Sequence, residues 1–275
     1  SLALAGWTNK VIYLEEGDRA IVTAGDVRIL DAQQRPANRE VHVSRAVAGF
    51  ADKGEYRHFM EKEIHEQPDA IAHTLSRYVD VDAGRFTTDG LLDWKAINRL
   101  LGTACGTAFY AAAIGKYWFE KHARLSVEID VASEFRYRDP VIGPKDAALF
   151  ISQSGETADT LAALRYCKQA GAKTLAVVNV AESSIAREAD AIAQTQAGPE
   201  IGVASTKAFT AQLTAIASLA IGAGRARGVL TEADEARFVT ALLETPRLIN
   251  AALGVEPQIE KIAQRLTQGR DVLYL

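Results

Sequence analysis

From Arg99 onward, short apolar β-rich runs alternate with stretches of helical periodicity, and nothing else in the chain restricts its fold as strongly. The runs are Arg99-Leu-Leu-Gly-Thr103, Ser126-Val-Glu-Ile-Asp130, Asp146-Ala-Ala-Leu-Phe-Ile151, Lys173-Thr-Leu-Ala-Val-Val178 and Ala191-Ile192-Ala193, with helix to about Lys121 and to about Gln169. Such an alternation predicts a parallel sheet with helices on both faces, an α/β fold. Thr206 to Gly224, Thr231 to Gly254 and Glu256 to Thr267 are nearly all helical in pattern.

The part before Arg99 reads differently. Lys10-Val-Ile-Tyr-Leu14, Arg19-Ala-Ile-Val-Thr23 and Asp26-Val-Arg-Ile-Leu30 form a β meander, with Ala24-Gly25 as a hairpin turn. About 43 residues bury too little apolar surface to fold alone, so the meander is expected to complete a larger sheet. A polar linker follows. Tyr56 to Tyr78 reads as two amphipathic helices carrying Phe59, Ile64, Ile71 and Leu75, with Pro68 in the first turn of the second. Both ends read as cut: the chain opens at Ser1, and Asp271-Val-Leu-Tyr-Leu275 reads as a first strand of something more.

Composition removes several function classes. Among 275 residues, 31 basic against 35 acidic side chains leave no excess to track a phosphate backbone, so no nucleic-acid partner is expected. The longest apolar-leaning run, Ala208 to Gly224, contains Thr210, Gln212, Thr214 and Ser218 and suits a buried helix rather than a membrane span. No charged-then-apolar leader opens the chain, and the two cysteines, Cys105 and Cys167, are expected to be free thiols, which together point to the cytoplasm. His42, His58, His65, His73 and His122 lack metal-ligand spacing, so no metal is expected. Glu128, Asp130 and Glu134 read as a solvated acidic face.

The chemistry-bearing residues gather at strand-to-helix junctions. Ser152-Gln-Ser-Gly-Glu-Thr-Ala-Asp-Thr160 follows an apolar strand and opens a helix, where unpaired N–H groups and the hydroxyls of Ser152, Ser154 and Thr157 converge. Several neutral donors of this kind suit a phosphomonoester, and the absence of a following lysine argues against a nucleotide loop. The same residues could simply cap a helix. A second junction, Thr103-Ala-Cys-Gly-Thr-Ala108, places Gly106 for close backbone approach and Thr107 as a donor, with small-residue packing as the alternative. The third, Glu200-Ile-Gly-Val-Ala-Ser-Thr-Lys207, puts Ser205 and Thr206 at the start of a long helix, where an N-cap is the plainer reading. Cys105 reads as an inert thiol before a nucleophile, since no base lies near it in sequence.

These segments, with Val131-Ala-Ser-Glu-Phe-Arg-Tyr-Arg138 and Lys53-Gly-Glu-Tyr-Arg-His58, closely resemble the family of isomerizing glutamine-fructose-6-phosphate aminotransferases. The resemblance implies a three-layer αβα sugar isomerase (SIS) domain around a five-stranded parallel sheet. On this reading 1–43 are the last strands of a glutaminase domain, 44–55 a linker, 56–270 the first SIS subdomain and 271–275 the start of a second. Leu14-Glu-Glu-Gly-Asp18 resembles the end of the glutaminase domain.

What the resemblance implies about function is a cytoplasmic homodimer making glucosamine 6-phosphate and glutamate from fructose 6-phosphate and glutamine, the first step of amino-sugar biosynthesis, without a cofactor. Ser152, Gln153, Ser154 and Thr157 would hold the sugar phosphate; Cys105, Gly106 and Thr107 would line the same pocket; Val203 and Ser205 would meet the sugar chain. Ala108 stands where the family commonly has serine. The family's nucleophilic cysteine, glutamate base, ring-opening histidine and tail lysine have no matching positions between Ser1 and Leu275, so no catalytic residue is expected within this chain and turnover by it alone is not expected. Rival readings are a non-catalytic sugar-phosphate sensor, a stand-alone sugar phosphate isomerase and a dimerisation scaffold.

Overall fold

A computed structural model describes residues 7–43, 52–271 and 273. Most of the expected linker, 44–51, and residues 272, 274 and 275 of the expected terminal strand lie outside the described residues. The chain divides into two compact units, Ser1–Asp52 and Lys53–Leu275.

In the first unit, β1 (Lys10–Ile12), β2 (Arg19–Val22), β3 (Val27–Leu30) and β4 (Val41–Val43) make two separate two-stranded antiparallel sheets rather than one running meander. β2 and β3 form the hairpin expected around Ala24-Gly25, whereas β1 pairs with β4 in the register Lys10↔Val43. The reason is an ion pair across the loop. Arg39 donates to both carboxylate oxygens of Asp18 at 2.8 and 2.9 Å, which folds the chain back after the hairpin and holds the Asp18 carboxyl below its ordinary value.

The second unit opens with α1 (Phe59–His65) and α2 (Gln67–Leu75), the latter with its proline in the first turn as expected. A short hairpin of β5 (Val79–Asp80) and β6 (Arg85–Phe86) leads to β7 (Arg99–Ala104), α3 (Gly106–Trp118) and, after a π-helical turn at Phe119–Ala123, β8 (Ser126–Val131). There follow α4 (Ala132–Phe135), β9 (Asp146–Ser152), α5 (Ala158–Gln169), β10 (Lys173–Val178), α6 (Ser184–Glu188), β11 (Ala191–Gln194), α7 (Lys207–Ala226), α8 (Glu232–Leu253) and α9 (Glu256–Leu266).

β7 to β11 form the five-stranded sheet, all pairs parallel, in the spatial order β8-β7-β9-β10-β11. Each central strand divides its side chains between two cores. Leu100, Leu149, Ile151, Leu175 and Val177 face a core shared with α2, α3 and α7, while Leu101, Ala148, Phe150, Ala176 and Val178 face one built with α4, α5 and α6. The period of two explains why the strands read as continuous apolar runs: both faces are covered. Phe150 is fully buried, and its removal to alanine is expected to cost roughly 3–5 kcal/mol.

The apolar run from Ala208 is the buried helix α7, and among the described residues no helix is long and apolar enough to cross a membrane. The acidic face is corrected. Glu128 accepts from Arg99 and from Arg138, and Asp130 accepts from Arg138, so two of the three acids are tied into an ion-pair network on the edge strand β8. Charge on an edge strand also discourages pairing with another chain.

Candidate functional site

The strand order reverses between β7 and β9, the first strand being followed by one neighbour on one side and the third strand on the other. In open α/β sheets the crevice outside the carboxyl ends of the strands at such a point is where ligands bind. Here that crevice is a cleft of about 420 Å³. It is lined by all nine residues singled out in the sequence: Cys105, Gly106, Thr107, Ser152, Gln153, Ser154, Thr157, Val203 and Ser205. Ala108, Ile151, Glu200, Gly202, Ala204 and Gln212 complete it, and no lysine or arginine is among its lining residues.

The β9–α5 junction is held open by its own hydrogen bonds. Ser152, buried at the strand end, accepts from the Gly155 N–H at 3.0 Å, and its Oγ lies 3.0 Å from the Thr157 hydroxyl. Gly155 adopts φ +66°, and a Cβ there would overlap the Ser183 hydroxyl, so the turn requires glycine. Its carbonyl accepts from Ile185 at 3.0 Å, and the Asn179 N–H donates to the Gln153 carbonyl at 3.2 Å. The loop is thus fastened from behind. At its front, Thr157 is the N-cap of α5 yet makes no side-chain cap bond, leaving the helix's first N–H groups for another acceptor.

The β7–α3 junction repeats this. Cys105 is the N-cap of α3 and supplies no cap bond; Gly106 has φ +55°. Cys105 is half-buried in the cleft wall, where the resemblance implies it, and not a buried thiol as its sequence neighbours suggest; Cys167 is the buried one, and burial pushes its thiol up to about 12. Ala108 lines the cleft without offering a hydroxyl.

The third junction departs from expectation. Thr206 is the N-cap of α7, but neither its side chain nor that of Ser205 caps the helix. Glu200 does so instead: its Oε1 accepts from the Thr206 and Ala208 N–H groups at 2.9 and 3.1 Å, and its Oε2 accepts from the Ser205 hydroxyl at 2.9 Å. A carboxylate six residues before the cap fits no local capping pattern, which is why the spacing did not disclose it. Gln212 was also missed. It is buried on α7, its Oε1 has no hydrogen-bond partner, and it lines the cleft one turn beyond the helix start.

Comparison with known proteins identifies the domain that holds the cleft. The SIS domain family matches residues 95–222, which span the sheet's first four strands, its fifth, and most of α7. Over its whole length the chain is 56% identical to the glutamine–fructose-6-phosphate aminotransferase [isomerizing] of Mesorhizobium japonicum and 55% identical to that of Agrobacterium fabrum. Residues 95–222 are a SIS domain, and along its whole length the chain is similar to part of these aminotransferases. It spans about half the length of these relatives, 46% of each. The SIS fold is also that of the C-terminal domain of glucosamine-fructose-6-phosphate aminotransferase from Francisella tularensis, with a TM-score of 0.75 and 38% identity over 78% of this chain and 61% of that one. Glucosamine-6-phosphate deaminase from Thermotoga maritima shares the fold alone, with a TM-score of 0.54 and 22% identity over 72% of this chain and 56% of that one. The SIS cleft of this chain therefore sits where β7 and β9 diverge, with α3 and α5 pointing their open ends into it.

Proposed function

We propose that the cleft binds the phosphate of fructose 6-phosphate, and that the chain supplies this sugar-phosphate site to the reaction forming glucosamine 6-phosphate and glutamate from fructose 6-phosphate and glutamine. The observation that carries the reading is the pair of uncapped helix N-termini flanking the switch point, with Ser152, Ser154 and Thr157 between them and no cation in the lining. Neutral donors and helix dipoles hold a phosphomonoester without the permanent positive charge a nucleotide triphosphate demands.

The same geometry orients the ligand. Glu200 fills the N-terminus of α7 with a carboxylate, so a dianionic phosphate is repelled from that side and drawn to α5 and α3. The open sugar chain then runs toward Val203 and Ser205, where Glu200 and the unpartnered side-chain oxygen of Gln212 offer partners for hydroxyl groups. Cys105, Gly106, Thr107 and Gln153 form the remaining wall. None of these residues is assigned the proton transfers of the reaction. A second copy of the chain as partner and a reducing compartment belong to the same reading, the latter supported by two unpaired cysteines.

Isothermal titration tests it. The chain is expected to bind fructose 6-phosphate and not fructose, and the Ser152→Ala/Thr157→Ala variant is expected to lose roughly 3 kcal/mol, about a hundredfold in affinity. Equal binding of fructose, or a double variant that binds as well as the parent, would overturn the phosphate assignment. Light scattering gives the oligomeric state.

A further inference from the structure

Val203 is fully exposed in the cleft wall and so cannot hold its own position by packing. The segment that carries it is gripped from outside the sheet by α1. Glu63, only 2% exposed, accepts from the Ile201 N–H at 2.6 Å and from the Gly202 N–H at 3.1 Å on both carboxylate oxygens. Gly202 lies so close that a Cβ on it would stand 2.5 Å from Glu63 Oε2 and 3.5 Å from the Met60 Cα. At the far end of the same segment the buried Lys207 ammonium donates to Glu66, at the α1–α2 junction, at 2.7 Å. One side of the cleft is therefore tied at both ends to a pair of carboxylates about 140 residues earlier in the chain.

We propose that Glu63 is a positioning residue: its carboxylate, buried against the Ile201-Gly202 backbone, fixes the wall that carries Val203 and Ser205 and thereby sets the affinity for the sugar chain, leaving the phosphate subsite at Ser152–Thr157 untouched. Two adjacent N–H groups aimed at one carboxylate are a concave anion site filled from within the protein. A buried carboxylate is held only when such donors satisfy it, and the loop in turn loses its one set of acceptors when the carboxylate goes. The proposal rests on the sugar-phosphate reading above.

The test separates sugar from phosphate. In Glu63→Ala, amide exchange at Ile201 and Gly202 is expected to rise at least about tenfold, because their acceptor is gone. Affinity for fructose 6-phosphate should fall about tenfold while that for inorganic phosphate changes less than about twofold. Glu63→Gln keeps one acceptor oxygen and the side chain's shape, so it should restore most of the slow exchange and most of the affinity; it also serves if the alanine variant does not fold. A Glu63→Ala variant that exchanges slowly and binds like the parent would sink the proposal, as would parallel losses for both ligands in either variant. If the unaltered chain binds inorganic phosphate but not fructose 6-phosphate, the sugar reading itself fails and takes this one with it.

Discussion

The N-termini of α5 and α7 both open on the same cleft, follow loops rich in small and hydroxyl residues, and carry opposite electrostatics. At α5 the N-cap Thr157 makes no cap bond and the loop behind it is fastened by Ser152, Asn179 and Ile185. At α7 the corresponding N–H groups are already occupied by Glu200. A hydroxyl-rich strand-to-helix turn is therefore not by itself an anion site. What decides is whether the protein's own carboxylate reaches the helix end first, and one that does converts an attractive dipole end into a repulsive wall. The pairing of an open end with a filled one gives the cleft a direction along which a molecule with one anionic terminus can lie in only one sense.

The severest way to break the contrast is at the turn that holds α5 open. Gly155→Ala forces an L side chain into φ +66° against Ser183, and is expected to cost more than about 2 kcal/mol and to close the Ser152–Thr157 turn. Thermal unfolding and phosphate titration would check it; an unchanged melting temperature would mean that the turn is not under this constraint. Glu200→Gln attacks the other side. It keeps an acceptor for α7 but removes the charge, so stability should fall by about 0.3–1 kcal/mol while inorganic phosphate binds about two- to fivefold more tightly. Weaker phosphate binding in that variant would mean Glu200 is not the repelling group.

A gentler probe sharpens the comparison at α3, the second open end. Cys105 lines the cleft, whereas Cys167 is buried with its thiol pushed up to about 12. Native protein at pH 8 should take up one iodoacetamide, at Cys105, and unfolded protein two. Fructose 6-phosphate should slow the labelling of Cys105 a few-fold. Mass spectrometry of the labelled peptides reads this directly, and labelling of Cys167 at a comparable rate in the folded chain would contradict its burial.

Much of the second unit was legible because its strands are apolar on both faces and its helices carry their own punctuation. Lys173–Val178 stands at the bounds its composition suggests, and Pro68 and the Thr231 capping box start helices where their chemistry requires. The short helices α4 and α6 and the β5–β6 hairpin were not legible, since four or five residues carry no period. Nor was the β1–β4 pairing, which depends on Arg39 reaching Asp18 across 21 positions. The acidic residues of β8 illustrate the same limit: their sequence neighbours suggest a solvated face, and their partners, Arg99 and Arg138, come from another strand and a later turn.

At the site, the residue types were legible and their division of labour was not. The hydroxyls and glycines at Cys105–Thr107 and Ser152–Thr157 announce donors because backbone conformation and helix termini are local properties, set by a handful of neighbouring residues. By itself, then, the sequence determined a doubly wound parallel sheet and the junctions at which its chemistry gathers. Only the tertiary structure decided that Glu200 closes one helix end, that Glu63 of α1 and Glu66 at the α1–α2 junction grip the far wall, and that the side-chain oxygen of Gln212 is left without a partner. The reason is physical: helix and strand formation follow short-range periodicity, but whether a buried donor is already satisfied depends on acceptors delivered by segments up to 141 residues away, and that is settled only when the chain packs.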